Sequence, residues 1–427
     1  MKKLLLSSLI VVLTLPLSAQ PILIQADGYV DVASGELVRP ANIVVEDGVI
    51  TAINPQSLPE EAELIDLSGN ILLPGFMDMH VHLTADFDDF FRNIIGTESA
   101  SKGAIRGAKN AEKTLMAGFT KVRDLGQVHI TDELVNVAVA EGVQEGWIKG
   151  PRIIAAGHMI SITGGHGDPS SFFADGFMEL SPEYGIIDSP DEAVAATRYQ
   201  IKHGAKVIKM HATAGVMSPE ESVGAQQLSD AEMRAIIEEA ARHNIPVAAH
   251  AHGTEGMKAA IRAGVSSIEH GSILDEEVIQ MMIDEDVFLV PTTGTKDFVD
   301  LEALPPQNRE KAEYVFPLAK EGLANAIQSG VKIALGTDTP ILPHGRNGYE
   351  IIAYVDRGMT PAQALRSATM IPAELIQMQE ELGQIQAGMI ADIIAVAENP
   401  LENIETVEDV VFVMKEGVVF KSVVDGR

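Results

Sequence analysis

The rhythm of hydrophobic and polar positions divides the chain into three parts. Between residues 20 and 73 the two classes alternate in short runs, the period of half-buried strands. The segment from Ala41 to Ile50 is two such runs around Asp47-Gly48, a dipeptide favoured in tight hairpins because both turn residues take positive φ. Two further strands are predicted at 62–67 and 71–73, on either side of Gly69-Asn70, before Pro74-Gly75 breaks the pattern. From residue 76 to about 380, short apolar runs alternate with helical stretches. Strands are predicted at 76–82, 120–124, 152–156, 207–211, 247–250, 267–270, 287–291 and 333–337. Helical patterns between them include 100–117, 191–203, 230–243 and 309–329. Eight strand–helix units predict an α/β chain folded as a (β/α)8 TIM barrel. An open doubly wound sheet would usually carry a Gly-rich phosphate loop after its first strand, and none is present. Strands return after residue 383, at 392–396, 410–415 and 418–421, the last two joined by Glu416-Gly417. Each β-rich end is too short to form a sandwich alone. Residues 20–73 and 383–427 are therefore expected to meet as one small β-sandwich domain beside a barrel at 74–382.

Composition narrows the function. With 31 Lys plus Arg against 61 Asp plus Glu among 427 residues, the net charge is −30, which repels phosphate backbones and argues against a nucleic-acid partner. The absence of Cys excludes disulfides, zinc–thiolate sites and a cysteine nucleophile. Residues 1–19 have the pattern of a secretory signal peptide: Lys2 and Lys3, an apolar run from 4 to 15, then Leu17-Ser18-Ala19. That run is shorter than the roughly 20 residues a membrane span needs. No later segment is apolar enough to span, so no stable membrane partner is expected and the chain reads as exported, into a periplasm.

The candidate chemistry sits at predicted strand ends. His80-Val81-His82 closes the first barrel strand, where alternation turns both imidazoles to one face. Lys209 lies in the fourth strand, His250 ends the fifth, His270 ends the sixth, and Asp338 follows the eighth. Any one of these could be a satisfied buried polar group. Six ionisable residues converging on the C-terminal face of a barrel, where active sites of this fold sit, point instead to a metal centre. His166, in Gly164-Gly165-His166-Gly167, follows the third strand. His211 and His252 each lie two residues beyond Lys209 and His250 and share their faces. His344 and Arg346 follow Asp338 and are placed to reach a substrate, while Arg123-Asp124 reads as a structural ion pair. The aromatic loop 170–184 carries Phe172, Phe173 and Phe177, which could line a pocket or anchor the loop.

These residues carry a resemblance. The run Leu73-Pro74-Gly75-Phe76-Met77-Asp78-Met79-His80-Val81-His82, then Lys209, His250, His270 and Asp338, resembles the amidohydrolase superfamily of metal-dependent hydrolases. The tail from Ala387 to Asp392 resembles that family's closing motif. Lys206-Val207-Ile208-Lys209, with the His166 and His250 segments, is similar to the imidazolonepropionase-like subgroup, which includes prolidase-type dipeptidases, carboxypeptidases and enzymes acting on ochratoxin-type amides. The resemblance implies two divalent metal ions, Zn2+ first with Mn2+ or Co2+ as alternatives. His80, His82 and Asp338 would hold the more buried ion, and His250 and His270 the outer one. Lys209, carboxylated to N6-carboxylysine, and a hydroxide would bridge them. Asp338 would serve as general base and then acid, and His166 would stabilise the oxyanion. His211, His252 and His344 are candidates for substrate binding, His211 and His252 equally for orienting a ligand. The implied reaction is cleavage of the amide bond of an N-acyl amino acid or dipeptide. Alternatives are the same site acting on a lactone, an organophosphate or an imidazolone ring, and a non-catalytic binding scaffold. Dipeptidase relatives often carry Tyr just before the His250 segment, whereas this chain has Val247-Ala248-Ala249. A homo-oligomer is suggested by analogy alone.

Overall fold

A computed structural model describes residues 20–86, 95, 97–174, 176–218 and 222–423, so the leader expected at 1–19 lies outside the described residues. In chain order the first strands are β1 (Ile22–Asp31), β2 (Glu36–Val38), β3 (Ala41–Glu46), β4 (Val49–Ile53) and β5 (Glu63–Pro74). Next come β6 (Phe76–Val81), β7 (Phe119–Asp124) and β8 (Arg152–Ala155), then a minor pair, β9 (Ser161–Ile162) with β10 (Ile186–Ile187). The chain continues with β11 (Ile208–His211), β12 (Val247–Ala251), β13 (Ser267–His270) and β14 (Phe288–Val290). It closes with β15 (Ile393–Val396), β16 (Val410–Lys415) and β17 (Val418–Ser422).

The two chain ends do meet. Their strands form one continuous eight-stranded mixed sheet, in the order β17-β16-β15-β5-β1-β3-β4 with β2 beside β1. The sandwich expectation is corrected in this respect: one hydrogen-bonded path joins all the strands, and it curls until its two extremes touch. The Asp47-Gly48 and Glu416-Gly417 turns, both with positive φ, lie against each other, and a Cβ at Gly48 would stand 2.9 Å from the Glu416 carbonyl. Inside the curl, Ile24, Ile43, Ile50, Leu67, Ile393 and Phe412 share one apolar core. The two strands expected at 62–67 and 71–73 are the single strand β5. Gly69-Asn70 is not a turn; the register shifts opposite it, between Ala26 and Gly28, and the Gly69 N–H donates to Asp27 at 2.9 Å.

Between these ends, seven of the eight expected barrel strands are regular. They lie in two parallel arcs, β6-β7-β8 and β11-β12-β13-β14. Single parallel bridges join the arcs: Ile160 with Met210, Leu289 with Ile333, and Val81 with Thr339. The regular ladders therefore do not run unbroken round a closed barrel. The eighth segment, 333–337, forms no regular strand, yet it is tied to the first, since Met79 N–H donates to Leu335 O at 2.8 Å and Asp338 N–H to His80 O at 2.7 Å. Gly336 explains the close approach, because a Cβ there would fall 2.8 Å from the His80 Cβ and 2.2 Å from Val290.

Helices cover the outside of the arcs, and their start signals are explicit. The helix Asp230–Ala241 begins at a capping box of Ser229 and Glu232 and buries Met233, Ile236 and Ala240 against the strands. Among the described residues no helix is long and apolar enough to cross a membrane.

The curled sheet is fastened to the first arc by charge. Arg152, at the start of β8, pairs with the buried Asp392 carboxylate and with Glu416 at 3.0 Å. Asp392 also accepts the Glu416 N–H at 2.9 Å. Replacing Arg152 by Met leaves the Asp392 charge buried without its main partner. The expected result is a loss of about 3 kcal/mol of stability, read as a lower thermal midpoint with the metal content of the folded protein unchanged.

Candidate metal centre

His80 on β6 and His82, one residue past its end, lie side by side with ring centroids 5.3 Å apart. Both Nε2 atoms face a single carboxylate oxygen: Asp338 Oδ1 lies 3.5 Å from His80 and 3.4 Å from His82. One potential ligand atom from each of the three therefore lies within 4.8 Å of the others. The far ring nitrogens fix the tautomers. His82 Nδ1 lies 2.7 Å from the Gly126 carbonyl, which can only accept, so Nδ1 carries the proton and Nε2 keeps its lone pair. His80 Nδ1 is likewise 2.9 Å from Glu269 Oε2.

A second group lies beside the first. His166, His211 and His250 offer ligand atoms within 4.8 Å of one another. His250 is also 4.6 Å, ring to ring, from His270, which in turn is 5.0 Å from His80. Lys209 is 1% exposed and has no hydrogen-bond or ion-pair partner among the described residues. A cavity of about 200 Å³ is lined by His80, His82, His166, Lys209, His211, His250, His252, His270 and Asp338. Phe172, from the aromatic loop, also reaches it, while Phe173 and Phe177 stack on each other at 5.2 Å. His344 is not part of this lining. Its Nε2 lies 2.9 Å from the Ala85 carbonyl. Arg346 is directed away as well, held by Glu408 at 2.6 and 2.8 Å.

Burial sets the charge state of the imidazoles. It pushes His80, helped by the Lys209 charge, down to about 4 against the pull of Asp338 and Glu269. It takes His166 to about 4 and His252 to about 3, and holds His211, His250 and His270 well below the usual range. His82 is the exception: burial lowers it, but the bond and charge of Asp338 outweigh that and raise it. Most of these rings are therefore neutral near pH 7 and keep a lone pair for a cation. The residues fit a metal on a further observation: buried His166 Nδ1, His211 Nδ1 and His250 Nε2 have no hydrogen-bond partner. Three orphaned imidazole nitrogens in one cluster are costly unless something electron-poor lies between them.

Backbone strain concentrates in the same place. His270 (φ 70°), Thr292 (φ 45°) and Asp338 (φ 54°) are all left-handed without being glycine, and a β-branched Thr there is a true outlier. Thr292 Oγ1 lies 2.8 Å from His270 Nδ1, so the strained residue orients the ring of its strained neighbour.

Two supports escaped the sequence reading. Glu269 is fully buried on β13 and holds His80 on one side and Arg123, at 2.7 Å, on the other. Arg123 thus pairs with Glu269 and not with its neighbour Asp124, which instead accepts the Leu83 N–H at 3.0 Å and an Asn136 N–H at 2.9 Å. Burial pushes Glu269 up, yet Arg123, the His80 bond and Lys209 prevail and hold it at about 2. Asp78 accepts the His80 and Thr337 N–H groups, both at 3.1 Å, and the Thr337 hydroxyl and Asn347 amide at 2.6 and 2.7 Å. It thereby ties the strand that carries His80 to the segment that carries Asp338. The only sequence signal for either was a carboxylate inside an apolar strand. Glu269→Gln removes the negative charge and one of the two acceptor oxygens that His80 and Arg123 share. It is expected to weaken zinc binding roughly 10- to 100-fold, measured by competition with a chromophoric chelator.

The comparisons agree with this architecture. A model of the amidohydrolase family matches residues 71–427. An ochratoxinase of Aspergillus niger is 35% identical over 414 residues, covering 91% of this chain and 84% of that protein. The crystal structure of a Xaa-Pro dipeptidase with methionine bound in its active site superposes with a TM-score of 0.89 at 37% identity, covering 94% of this chain and all of that one (100%). A prolidase complexed with N-methylphosphonate-L-proline gives a TM-score of 0.83 at 31% identity, with 94% and 100% coverage. The chain described here belongs to the amidohydrolase family and is a hydrolase of amide bonds.

Proposed function

We propose that the enzyme is a binuclear metal hydrolase that releases a C-terminal amino acid from N-acyl amino acids or dipeptides. The observation that carries this reading is the convergence of His80, His82 and Asp338 on one point, with Lys209, His250 and His270 on the wall of the same cavity. The similarity to an ochratoxinase and to prolidase-type structures supports the substrate class.

In this reading His80, His82 and Asp338 would hold one cation, His250 and His270 would hold a second, and Lys209, as its carbamate, would be a further anionic ligand. Bound zinc supplies Lewis acidity at the scissile carbonyl and acidifies the attacking water. The rest falls to the chain. Burial drives the Lys209 amine down to about 8, against the charges of Glu269 and Asp338. At that value a fraction of the amine is neutral near pH 7, and this fraction can add CO2 with release of a proton, which converts a costly buried cation into an anionic ligand. While Lys209 is still an amine, Asp338 feels burial pushing its pKa up, but His80, His82 and the Lys209 charge bring it below the usual carboxylate value. It is ionised at neutral pH and can take a proton from the attacking water and deliver it to the leaving amine. His166 is neutral and lines the cavity, so its N–H is available to the developing oxyanion. His211 and His252 border the same space, and His252 is oriented by Ser272 at 2.8 Å. The leader pattern at 1–19 supports a role outside the cytoplasm, in scavenging or detoxification.

Protein purified without chelators should contain about two zinc-like ions per chain. Chelation should abolish hydrolysis of N-acyl amino acids, and Zn2+ should restore it. Lys209→Ala should lose most bound metal and about 1,000-fold or more in kcat/KM, consistent with removal of a group that shapes the whole centre. A short carboxylic acid should restore part of that activity. Full metal occupancy with unchanged turnover in Lys209→Ala would remove the two-metal reading.

A further inference from the structure

Part of the cavity wall is mainly apolar. Val216, Met217, Val299, Leu304, Phe316 and Ile341 line it, and among them stands Lys296. Lys296 belongs to the short 3-10 turn Thr293–Asp297 that follows β14. That turn is rigidly held. The Thr293 and Gly294 N–H groups both donate to the Glu350 carboxyl at 2.7 Å, and a Cβ on Gly294 would meet it at 2.6 Å. Arg357 donates to the Thr293 hydroxyl at 3.2 Å and to Asp297 at 2.7 Å.

The nearby carboxyl groups are already engaged, and burial pushes that of Glu350 up to about 8. Asp297 is paired with Arg357, and both Glu350 oxygens accept backbone N–H groups. Lys296 Nζ is left with the Thr293 hydroxyl at 3.4 Å and the Phe316 ring, whose centroid is 6.0 Å away. No carboxylate pairs with it among the described residues. Of the other lysines near this space, Lys209 stands among the metal-ligand candidates, and Lys311 caps the Gly215 and Ser218 carbonyls at 3.3 and 2.5 Å without lining the cavity. An unmatched cation in an apolar wall is costly by itself and becomes favourable when an anion arrives. Burial, with Arg357 adding to it, takes the amine down to about 8, so it remains largely protonated at neutral pH.

We infer that Lys296 is a specificity-determining residue that binds the free α-carboxylate of the leaving amino acid, whose apolar side chain packs on Val216, Met217, Leu304 and Phe316. This rests on the amide-hydrolase reading above. It gives that reading a substrate class: N-acyl amino acids and dipeptides with a free carboxylate and an apolar C-terminal residue. The carboxylate accepts from Lys296 Nζ, and the scissile amide faces His80, His82 and Asp338, which line the same cavity.

The test compares the zinc-loaded wild type with Lys296→Met, which keeps the apolar stem, and Lys296→Arg, which keeps the charge. The probes are N-acetyl-L-phenylalanine and N-acetyl-L-phenylalaninamide for hydrolysis, with L-phenylalanine and L-phenylalaninamide for calorimetric binding. The wild type is expected to prefer the acid in both assays. In Lys296→Met, KM for the acid should rise about 10- to 100-fold with a small change in kcat, as for loss of a charge-assisted hydrogen bond. The acid-to-amide preference should then vanish at unchanged metal content, and Lys296→Arg should restore much of it. A Lys296→Met enzyme with the wild-type acid-to-amide ratio overturns the inference, as does a wild type indifferent to the carboxylate in both assays. Failure of the wild type to cleave either probe, with Lys296-dependent binding of L-phenylalanine intact, overturns the amide-hydrolase reading and upholds the role of Lys296.

Discussion

The site rests on one fully buried ion pair. Glu269 places a negative charge inside the ring of strands, where it is stable only because Arg123 and His80 reach it from two neighbouring strands. Ser267, two residues earlier on the same strand, donates to Glu269 and accepts from Arg123, while Arg123 also donates to the Met79 carbonyl at 2.7 Å. This network spans β6, β7 and β13, so the position of the His80 ring depends on strands far apart in sequence. Because Glu269 accepts the His80 Nδ1 proton, the Nε2 lone pair is left facing Asp338.

The same logic recurs around the centre. Besides His80, three candidate ligands are oriented by a partner on another element: His82 by Gly126, His270 by Thr292, and Asp338 through the bond of its N–H to His80 and through the Asp78 tie. Left-handed backbone at His270, Thr292 and Asp338 persists because these ties over-determine it. The histidine-lined part of the cavity is thus rigid, and the turn at Thr293–Asp297 is held as firmly by Glu350 and Arg357. The rest of the lining is mainly apolar and carries Lys296 on that turn.

Much of this was legible in one dimension. The change of period at residues 73–76 and again near 383 located the two β-rich ends and the α/β middle, because period 2 and period 3.6 are local consequences of backbone geometry. Both hairpin turns, Asp47-Gly48 and Glu416-Gly417, were readable for the same reason: they need positive φ at fixed positions. The His-x-His pair, Lys209, His250, His270 and Asp338 stood out as ionisable groups at the ends of apolar runs, and the structure brings all six to one cavity.

Tertiary structure decided the remainder. Nothing local distinguishes a strand that ends at Gly69-Asn70 from one that bulges there, since the difference lies in the register with β1. Arg123 and Asp124 are adjacent in sequence, but side chains on a strand point to opposite faces, so Arg123 found Glu269 across 146 positions instead. His344 and Arg346 follow a candidate ligand closely, yet the fold holds them to Ala85 and Glu408. Which residues can form strands, turns and ligands is a property of short stretches of sequence. Which charges are neutralised, which rings are oriented and which cation is left unmatched depends on contacts between distant segments, and these exist only once the chain has folded.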